Sequence, residues 1–565
     1  MKLNPYQERA VVASGHCTIL ACPGSGKTRV LSERAARLIA DNSTGRLCAV
    51  TFTRDAADEL KARILASCGK EHERRLAVGT FHSIALAQLR RSKKRLPRLL
   101  SEGERLTLLR RCWNHHAPEL SFEDAVQAVD AAKARLTPPM FSSPALESLF
   151  HAYEELLRSE GAMDFADLLL LAVRSMTNGD MPALPIRWLL VDEAQDMDEV
   201  QMEWVLIHGR SGVEVTLVGD DDQSLYAFRH ALGYAGLQEV TRTLSATETT
   251  LPINYRCAPN ILAHAAKLIG HNKDRAPKKI MAHRDDPGEI RVVRAPTRWD
   301  EADLIVREIK SGGKQEWAIL GRTNALLDVA EAALSEAGVP YLRTGGKSVW
   351  EHSVGSVFLG LLRSVLDDSW VGVANALAFC GIRPEWINGL SLRATGSCAQ
   401  RLDRAIRETE DASVAKTLMR LRMGLASWAE QAGKGRAALV AHGVAQFIAE
   451  YCKPNQAQLL SRLEASVAKM SGSLAQRLAA LSRSGQRQEQ RFVQIMTLHA
   501  SKGLEFDNVW ILGCEDGNLP HIDSSEEDER RLLYVGMTRA RNRLILSCAL
   551  EEGLESRFFE EAGLV

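Results

Sequence analysis

The eight residues Ala21-Cys22-Pro23-Gly24-Ser25-Gly26-Lys27-Thr28 have the make-up of a loop that wraps phosphate, with Ala21 where the general pattern has its first Gly. Gly24 and Gly26 let backbone N–H groups turn inward, and a helix starting at the end of the loop adds positive potential. Pro23 and Ser25 complete the cradle. Lys27 would reach the β- and γ-phosphates of a nucleotide, and the Thr28 hydroxyl would ligate Mg²⁺. Further along, Asp192 and Glu193 are adjacent. An acid that holds Mg²⁺ through water, followed by one that orients and deprotonates the attacking water, suits phosphoanhydride hydrolysis. Asp220, Asp221 and Asp222 place three mutually repelling carboxylates before Gln223, whose amide could sense the γ-phosphate. Gln7, just after Asn4-Pro5, carries an amide able to donate to and accept from an adenine edge.

These groups need strands to deliver them. Cys17 to Leu20 form a β-prone run before the loop, and Val30, Leu31, Ala35, Leu38 and Ile39 recur at helical spacing after it. A second α/β unit runs from a strand at Leu47 to Phe52 into a helix at Asp55 to Ala66. A third strand ends in Gly79-Thr80-Phe81-His82-Ser83. Trp188 to Val191 and Val213 to Val218 are buried strands whose carboxyl ends carry the acids, the edge at which open α/β sheets bind ligands. Between them, Ile84 to Glu160 reads as helical and basic. Its cluster Arg90, Arg91, Lys93, Lys94, Arg95 and Arg98 is either a phosphate-contacting surface or a solvated face.

The second half repeats the alternation. Arg291 to Arg294, Trp317 to Leu320, Ile495 to Leu498, Val509 to Leu512 and Leu544 to Ser547 read as strands, with helices at Glu301 to Lys310 and Leu326 to Ala337. Gly346 to Gln490 is Ala-, Leu- and Arg-rich and helical, closed by the polar run Ser484-Gly485-Gln486-Arg487-Gln488. A formal net charge of zero excludes a generic polyanion binder, so a nucleic-acid surface has to be a local groove. Eleven cysteines without a C-x-x-C pair argue against a zinc site and a disulfide framework and fit a reducing cytoplasm. No apolar signal core or bilayer-length run is present, so no membrane role is expected.

The motifs occur in an order that resembles the superfamily 1 helicases of the UvrD, Rep and PcrA group. Carrying the resemblance are Gln7 with the phosphate loop, Asp192 to Asp196, Gly219 to Arg229, Leu251-Pro252-Ile253-Asn254-Tyr255-Arg256, Thr497 to Phe506, and Arg530 to Arg541. The resemblance implies an α/β protein of two RecA-like P-loop domains with two mostly helical inserted accessory subdomains. The first domain would comprise residues 1–85 and 160–250, with 86–159 as its insertion; the second would comprise 251–345 and 491–565, with 346–490 as its insertion.

By the same resemblance the chain is an ATP- and Mg²⁺-dependent DNA helicase and translocase moving 3′ to 5′ on single strands, in repair, replication restart or recombination. Gln7 is then the adenine reader, Arg29 and Tyr255 flank the nucleotide, Glu505 contacts ribose, and Arg256 and Arg539 are presented from the second domain. Phe52, Phe81 and Phe228 become base-contacting aromatics, with Thr80, His82, Arg229 and His499 beside them, although core packing is the commoner fate of a Phe. Single-stranded and junction DNA are the expected partners, with a separate nuclease or repair protein in addition. A second reading is a nucleotide-gated recognition subunit of a Gabija-type antiphage or repair complex. Departures from the family pattern are Cys22-Pro23, His230, Cys257, and Gly381-Ile382-Arg383, the last only partly like the duplex-contacting turn. With the chain ending soon after Phe558-Phe559, neither nuclease activity nor strong unwinding by the lone chain is expected.

Overall fold

The computed structural model describes residues 2–92, 96–226, 230–312, 315–351, 353–393, 396–483 and 493–565, and the chain divides into two compact units, 1–287 with 525–534 and 288–524 with 535–565. The polar run at Ser484 to Gln488 and Lys93, Lys94 and Arg95 lie outside the described residues.

Among the described residues, the first unit is built on a six-stranded parallel sheet in the order Leu76–Thr80, Leu47–Thr51, Trp188–Val191, Glu214–Gly219, Cys17–Ala21, Thr247–Leu251. Its inner strands are buried and largely apolar because helices cover both faces, while the edge strand Thr247–Leu251 is polar and partly exposed, and the period of two sends alternate residues to two separate cores. Leu47, Ala49, Leu190 and Val218 join the core that contains the helix Lys27–Ala40, whereas Cys48, Val50, Leu189 and Leu217 join the core under the helix Glu199–Arg210. Strands that are neighbours in the sheet are far apart in sequence, as parallel crossovers require.

The helices Glu102–His116, Phe122–Lys133 and Pro144–Ser159 form an insertion with a core of its own around Leu109, Val129, Leu149 and Tyr153. Each begins at a serine cap, Ser101, Ser121 or Ser143, which accepts from the backbone N–H three residues on. After the last sheet strand, Ile253–Asn254 pairs in parallel with Met281–Ala282, and this segment, residues 252–287, falls in the first unit.

Among the described residues, the second unit has a six-stranded parallel sheet in the order Glu289–Ala295, Ala540–Ala549, Phe506–Leu512, Trp317–Gly321, Val493–Thr497, Tyr341–Arg343. The helices Arg298–Ser311 and Asn324–Glu336 pack on it through Ile305, Leu327 and Leu334. Its insertion is helical from Ser353–Asp367 to Leu474–Arg483, around a core that includes Phe358, Leu421, Val444 and Leu463. The expected class, two parallel α/β sheets each with a helical insertion, is the one found. None of the described helices is long and apolar enough to cross a membrane.

Candidate functional site

The phosphate loop follows the strand Cys17–Ala21 and ends where Lys27 opens the helix Lys27–Ala40. Gly24 and Gly26 have φ of 60° and 81°, and a Cβ on Gly24 would lie 2.7 Å from the Arg256 Cβ. A side chain there meets both backbone strain and a collision. The loop is braced from two sides. Gln7 donates through Nε2 to the Ser25 carbonyl at 3.0 Å, while its Oε1 accepts the Asn4 N–H at 3.0 Å in a capping box. From the other side, Asn254 Nδ2 donates to the Pro23 carbonyl at 2.7 Å, and the Tyr255 N–H donates to the Gly24 carbonyl at 3.0 Å. Asn4 Nδ2 also donates to the Tyr255 hydroxyl at 2.7 Å, so Gln7, the loop and Tyr255 form one assembly.

Lys27 Nζ donates to Glu193 Oε2 at 3.1 Å, and Gln195 Nε2 donates to the same oxygen at 2.7 Å. Glu193 sits at φ 52°, a left-handed conformation uncommon for a residue with a Cβ and found where surrounding structure over-determines a functional side chain. Asp192, 7 % exposed, accepts the Glu193 N–H at 3.0 Å; burial, then the charge of Glu193, push its carboxyl up to about 7. Burial alone would lower the Lys27 pKa, but Glu193, Asp220 and Asp192 override it, so the ammonium is held above its ordinary value.

The Ser25 hydroxyl is buried without a hydrogen-bond partner. A buried orphan donor in a glycine cradle, next to an ammonium at a helix N-terminus, fits nucleotide phosphate. Thr28 and Arg29 follow on the first turn of that helix, both partly exposed. Gln223 is buried and donates through Nε2 to Asp220 Oδ2. Among the described residues, the trio of carboxylates close enough to share a cation is Asp220, Asp221 and Asp222, but Lys278 Nζ is already bound to it, at 2.5 Å from Asp220 Oδ1 and 2.7 Å from Asp221 Oδ1. Asp192 is not a member of this trio, though it acts, like Asp220, on the Lys27 charge.

Arg256 belongs to the first unit, where its N–H donates to Asn254 Oδ1 at 2.9 Å and its carbonyl accepts from Arg284 at 3.0 Å. Arg539 and Glu505 belong to the second unit. Arg539 is 1 % exposed, donating to the carbonyls of Val535 at 2.9 Å and Leu504 at 3.0 Å. Glu505 accepts from Arg541 at 2.6 Å, and His499 opens a short 3-10 turn.

The aromatic candidates divide by burial. Phe81 is 2 % exposed, with its ring edge-on to Trp204 at 5.8 Å and to the partly buried Phe52 at 5.7 Å. Thr80 Oγ1 accepts the Ser83 N–H at 3.3 Å. His82 is stacked on Phe165 at 4.1 Å and 19°, and burial lowers its pKa to about 4, so the ring is neutral. Phe165 is 53 % exposed and offers a flat ring at the edge of a cavity of about 1160 Å³. Lys133, also on the lining, is buried and bound to Asp164 and Asp167, each at 2.8 Å, so its charge is neutralised internally. Phe228 and Arg229 lie outside the described residues. In the basic cluster, Arg90 and Arg91 are exposed and Arg98 pairs with Glu104 at 2.6 Å.

The motifs single out neither Phe165, Gln195, Asn254 and Lys278 nor Arg275, which donates to both oxygens of Asp222 at 2.8 Å. Gln195 and Asn254 lay inside motifs that were read for other residues. The signal for Phe165 was an aromatic set between acids in Asp164-Phe165-Ala166-Asp167, while Lys278 had none.

Residues 3–238 match the model of the UvrD/REP helicase N-terminal domain, and residues 249–368 and 445–551 match that of the UvrD-like helicase C-terminal domain. The chain is 30% identical to DNA helicase II of Escherichia coli (strain K12), over 97% of this chain and 84% of the relative. It is 29% identical to the ATP-dependent DNA helicase Rep of the same strain, covering 98% and 91% of the two chains. Against the ATP-dependent DNA helicase PcrA of Leuconostoc citreum the identity is 28%, with 98% and 82% covered.

Proposed function

Because the chain belongs to the UvrD/Rep helicase family, we propose that it is an ATP-dependent DNA helicase that couples hydrolysis at its phosphate loop to movement 3′ to 5′ on single-stranded DNA and to strand separation. The observation that carries this reading is the Lys27–Glu193 pair, 3.1 Å apart at the loop that also holds the orphaned Ser25 hydroxyl. Incoming phosphates draw the Lys27 ammonium away from Glu193. The freed carboxylate, still oriented by Gln195, then accepts the proton of the attacking water. Thr28 and Asp192 would hold Mg²⁺, which supplies charge neutralisation on the phosphates when bound; the raised Asp192 carboxyl is a group that a cation would ionise. Gln223 senses the γ-phosphate, and Arg256 and Arg539 stabilise charge on the transferring group. Gln7, Arg29, Tyr255 and Glu505 contact base and ribose.

On the DNA side, Phe52, Phe165, Phe228 and His82 provide stacking surfaces that ignore sequence, Phe81 buttresses Phe52 from below, and Thr80, Arg229 and His499 contact the backbone. The domains in this reading are 1–85 with 160–250, and 251–345 with 491–565, carrying insertions at 86–159 and 346–490. No observation favours the recognition-subunit alternative. Strand displacement with 3′-tailed, 5′-tailed and blunt duplexes tests the proposal: ATP-dependent product from the 3′-tailed substrate alone is expected. Preference for the 5′ tail overturns the direction, and DNA-stimulated ATPase without displacement on any substrate overturns the helicase assignment.

A further inference from the structure

Three consecutive carboxylates at one strand end need cations, and the first unit supplies them from a segment outside the nucleotide motifs. Asp220, Asp221 and Asp222 follow the strand Glu214–Gly219 and are 0, 2 and 0 % exposed. Arg275 donates to both oxygens of Asp222 at 2.8 Å, and the Ala276 N–H donates to Asp221 Oδ2 at 2.7 Å. Lys278 Nζ binds Asp220 and Asp221 and lies 3.1 Å from Asp222 Oδ2. Burial alone would lower the Lys278 pKa; Asp220, Asp222 and Asp221 together reverse this and hold it well above the ordinary value.

Two further connections distinguish this cluster from an ordinary buried ion pair. Lys278 Nζ also donates to the carbonyl of Ala21 at 3.1 Å, at the start of the phosphate loop. Asp220, whose Oδ1 takes the ammonium, uses Oδ2 to accept from the Gln223 amide. Its own N–H donates to Gln195 Oε1 at 2.9 Å, and Gln195 reaches the Glu193 oxygen that Lys27 holds. Three residues beyond Lys278, Met281–Ala282 pairs with Ile253–Asn254, the strand that braces Pro23 and leads to Arg256. One buried ammonium thus touches the loop and, through Asp220, the side chain that would report on the γ-phosphate.

We propose that Lys278 is a positioning residue for ATP hydrolysis: by holding Asp220 it fixes the Gln223 amide. This rests on the reading of Gln223 as the γ-phosphate sensor. Without the ammonium, burial, then Asp222 and Asp221, push the Asp220 carboxyl further toward its protonated form, and it no longer holds the Gln223 amide as a carboxylate fixed by Lys278 does.

The test is a double-mutant cycle in the full chain with Lys278→Met, Gln223→Ala and both, reading DNA-stimulated kcat and KM, fluorescent ATP-analogue affinity, and melting temperature. Lys278→Met is expected to lower kcat about 10- to 100-fold, the cost of losing an orienting partner, with KM within about threefold. In the Gln223→Ala background it should lower kcat no more than about twofold further, and Lys278→Arg, which keeps the charge, should recover part of the rate. Full multiplication of the two losses, or an intact kcat with only KM or melting temperature changed, overturns the assignment. Gln223→Ala with an unchanged kcat refutes the γ-phosphate reading instead. If Lys278→Met does not fold, Lys278→Met/Asp221→Asn takes its place in the cycle, with the same outcomes, because it removes one charge of each sign and leaves Asp220 and Gln223 intact.

Discussion

The two sheets share a scaffold but finish their strands in opposite ways. In the first unit, the ends of Trp188–Val191 and Glu214–Gly219 lead into acids beside a loop whose Ser25 hydroxyl has no partner. In the second, the ends of Phe506–Leu512 and Ala540–Ala549 are closed by buried side chains of the same unit. The Gly513 N–H, after the strand Phe506–Leu512, donates to Glu301 Oε1 at 3.1 Å, and Ser547 donates to the same oxygen. The Ala549 N–H donates to Glu515 at 2.6 Å, and Arg298 binds both Glu301 and Glu515. Glu301 and Glu515 are 0 and 1 % exposed. The carboxyl ends of parallel strands favour charge in both sheets; what makes one of them a site is that part of its hydrogen-bonding capacity is left for a ligand.

The largest expected effect breaks the open edge. Lys27→Ala should lower ATPase by about 10³-fold or more and weaken nucleotide binding, whereas Glu193→Gln should lose comparable turnover yet still bind ATP. Equilibrium binding of an ATP analogue to both variants decides it. Equal losses of affinity would show that the pair does not divide its work between phosphate and water.

The closed edge should fail through stability. Arg298→Met strands two buried carboxylates and should cost about 3 to 5 kcal/mol of unfolding free energy, with nucleotide affinity in the folded fraction unchanged. Denaturant unfolding alongside analogue binding measures both. A selective loss of nucleotide affinity at full stability would make the second edge a site as well, and the contrast would collapse.

The open edge was legible in sequence because its groups come in short contiguous stretches whose spacing is itself the signal. The loop from Gly24 to Thr28 and the pairs at Asp192 and Gln223 needed no long-range information. The closed edge was not legible, since Arg298, Glu301, Gly513, Glu515 and Ser547 come from distant strands and helices that meet only when parallel crossovers fold. Lys278 was missed for the same reason, being 257 residues from the Ala21 carbonyl it binds. Phe81 shows the converse limit: spacing put it beside the ligand edge, but a residue opening a helix can turn its ring into the core, as its contact with Trp204 shows.

A smaller effect separates aromatic roles within the first unit. Phe165→Ala should weaken single-stranded DNA binding by about 1 to 3 kcal/mol for any base composition and leave basal ATPase intact. Fluorescence anisotropy with two homopolymeric oligonucleotides measures it; a loss confined to one base would replace stacking with specific recognition.

The smallest expected effect concerns pH and one helix of the first unit. At the end of Glu199–Arg210, His208 is fully buried: its Nδ1 lies 2.7 Å from the Trp204 carbonyl, and its Nε2 accepts the Leu184 N–H at 3.1 Å. Both ring nitrogens are committed in the neutral form, and a second proton would remove the acceptor, so burial holds the pKa down to about 4. Between the unfolded value near 6.5 and that folded value, the unfolded chain binds a proton that the folded one does not, so this contribution is present at neutral pH and is lost as pH falls. Asp198, capping the same helix, acts in the other sense, since burial raises its pKa to about 7 and favours the folded form as pH falls. Wild-type melts alone therefore mix the two, and the useful quantity is the difference between wild type and His208→Gln. That stability difference should be largest near pH 7.5 and shrink by about 1 kcal/mol per pH unit below about 6.5. A difference independent of pH would mean that His208 holds the helix by shape rather than by its neutral acceptor.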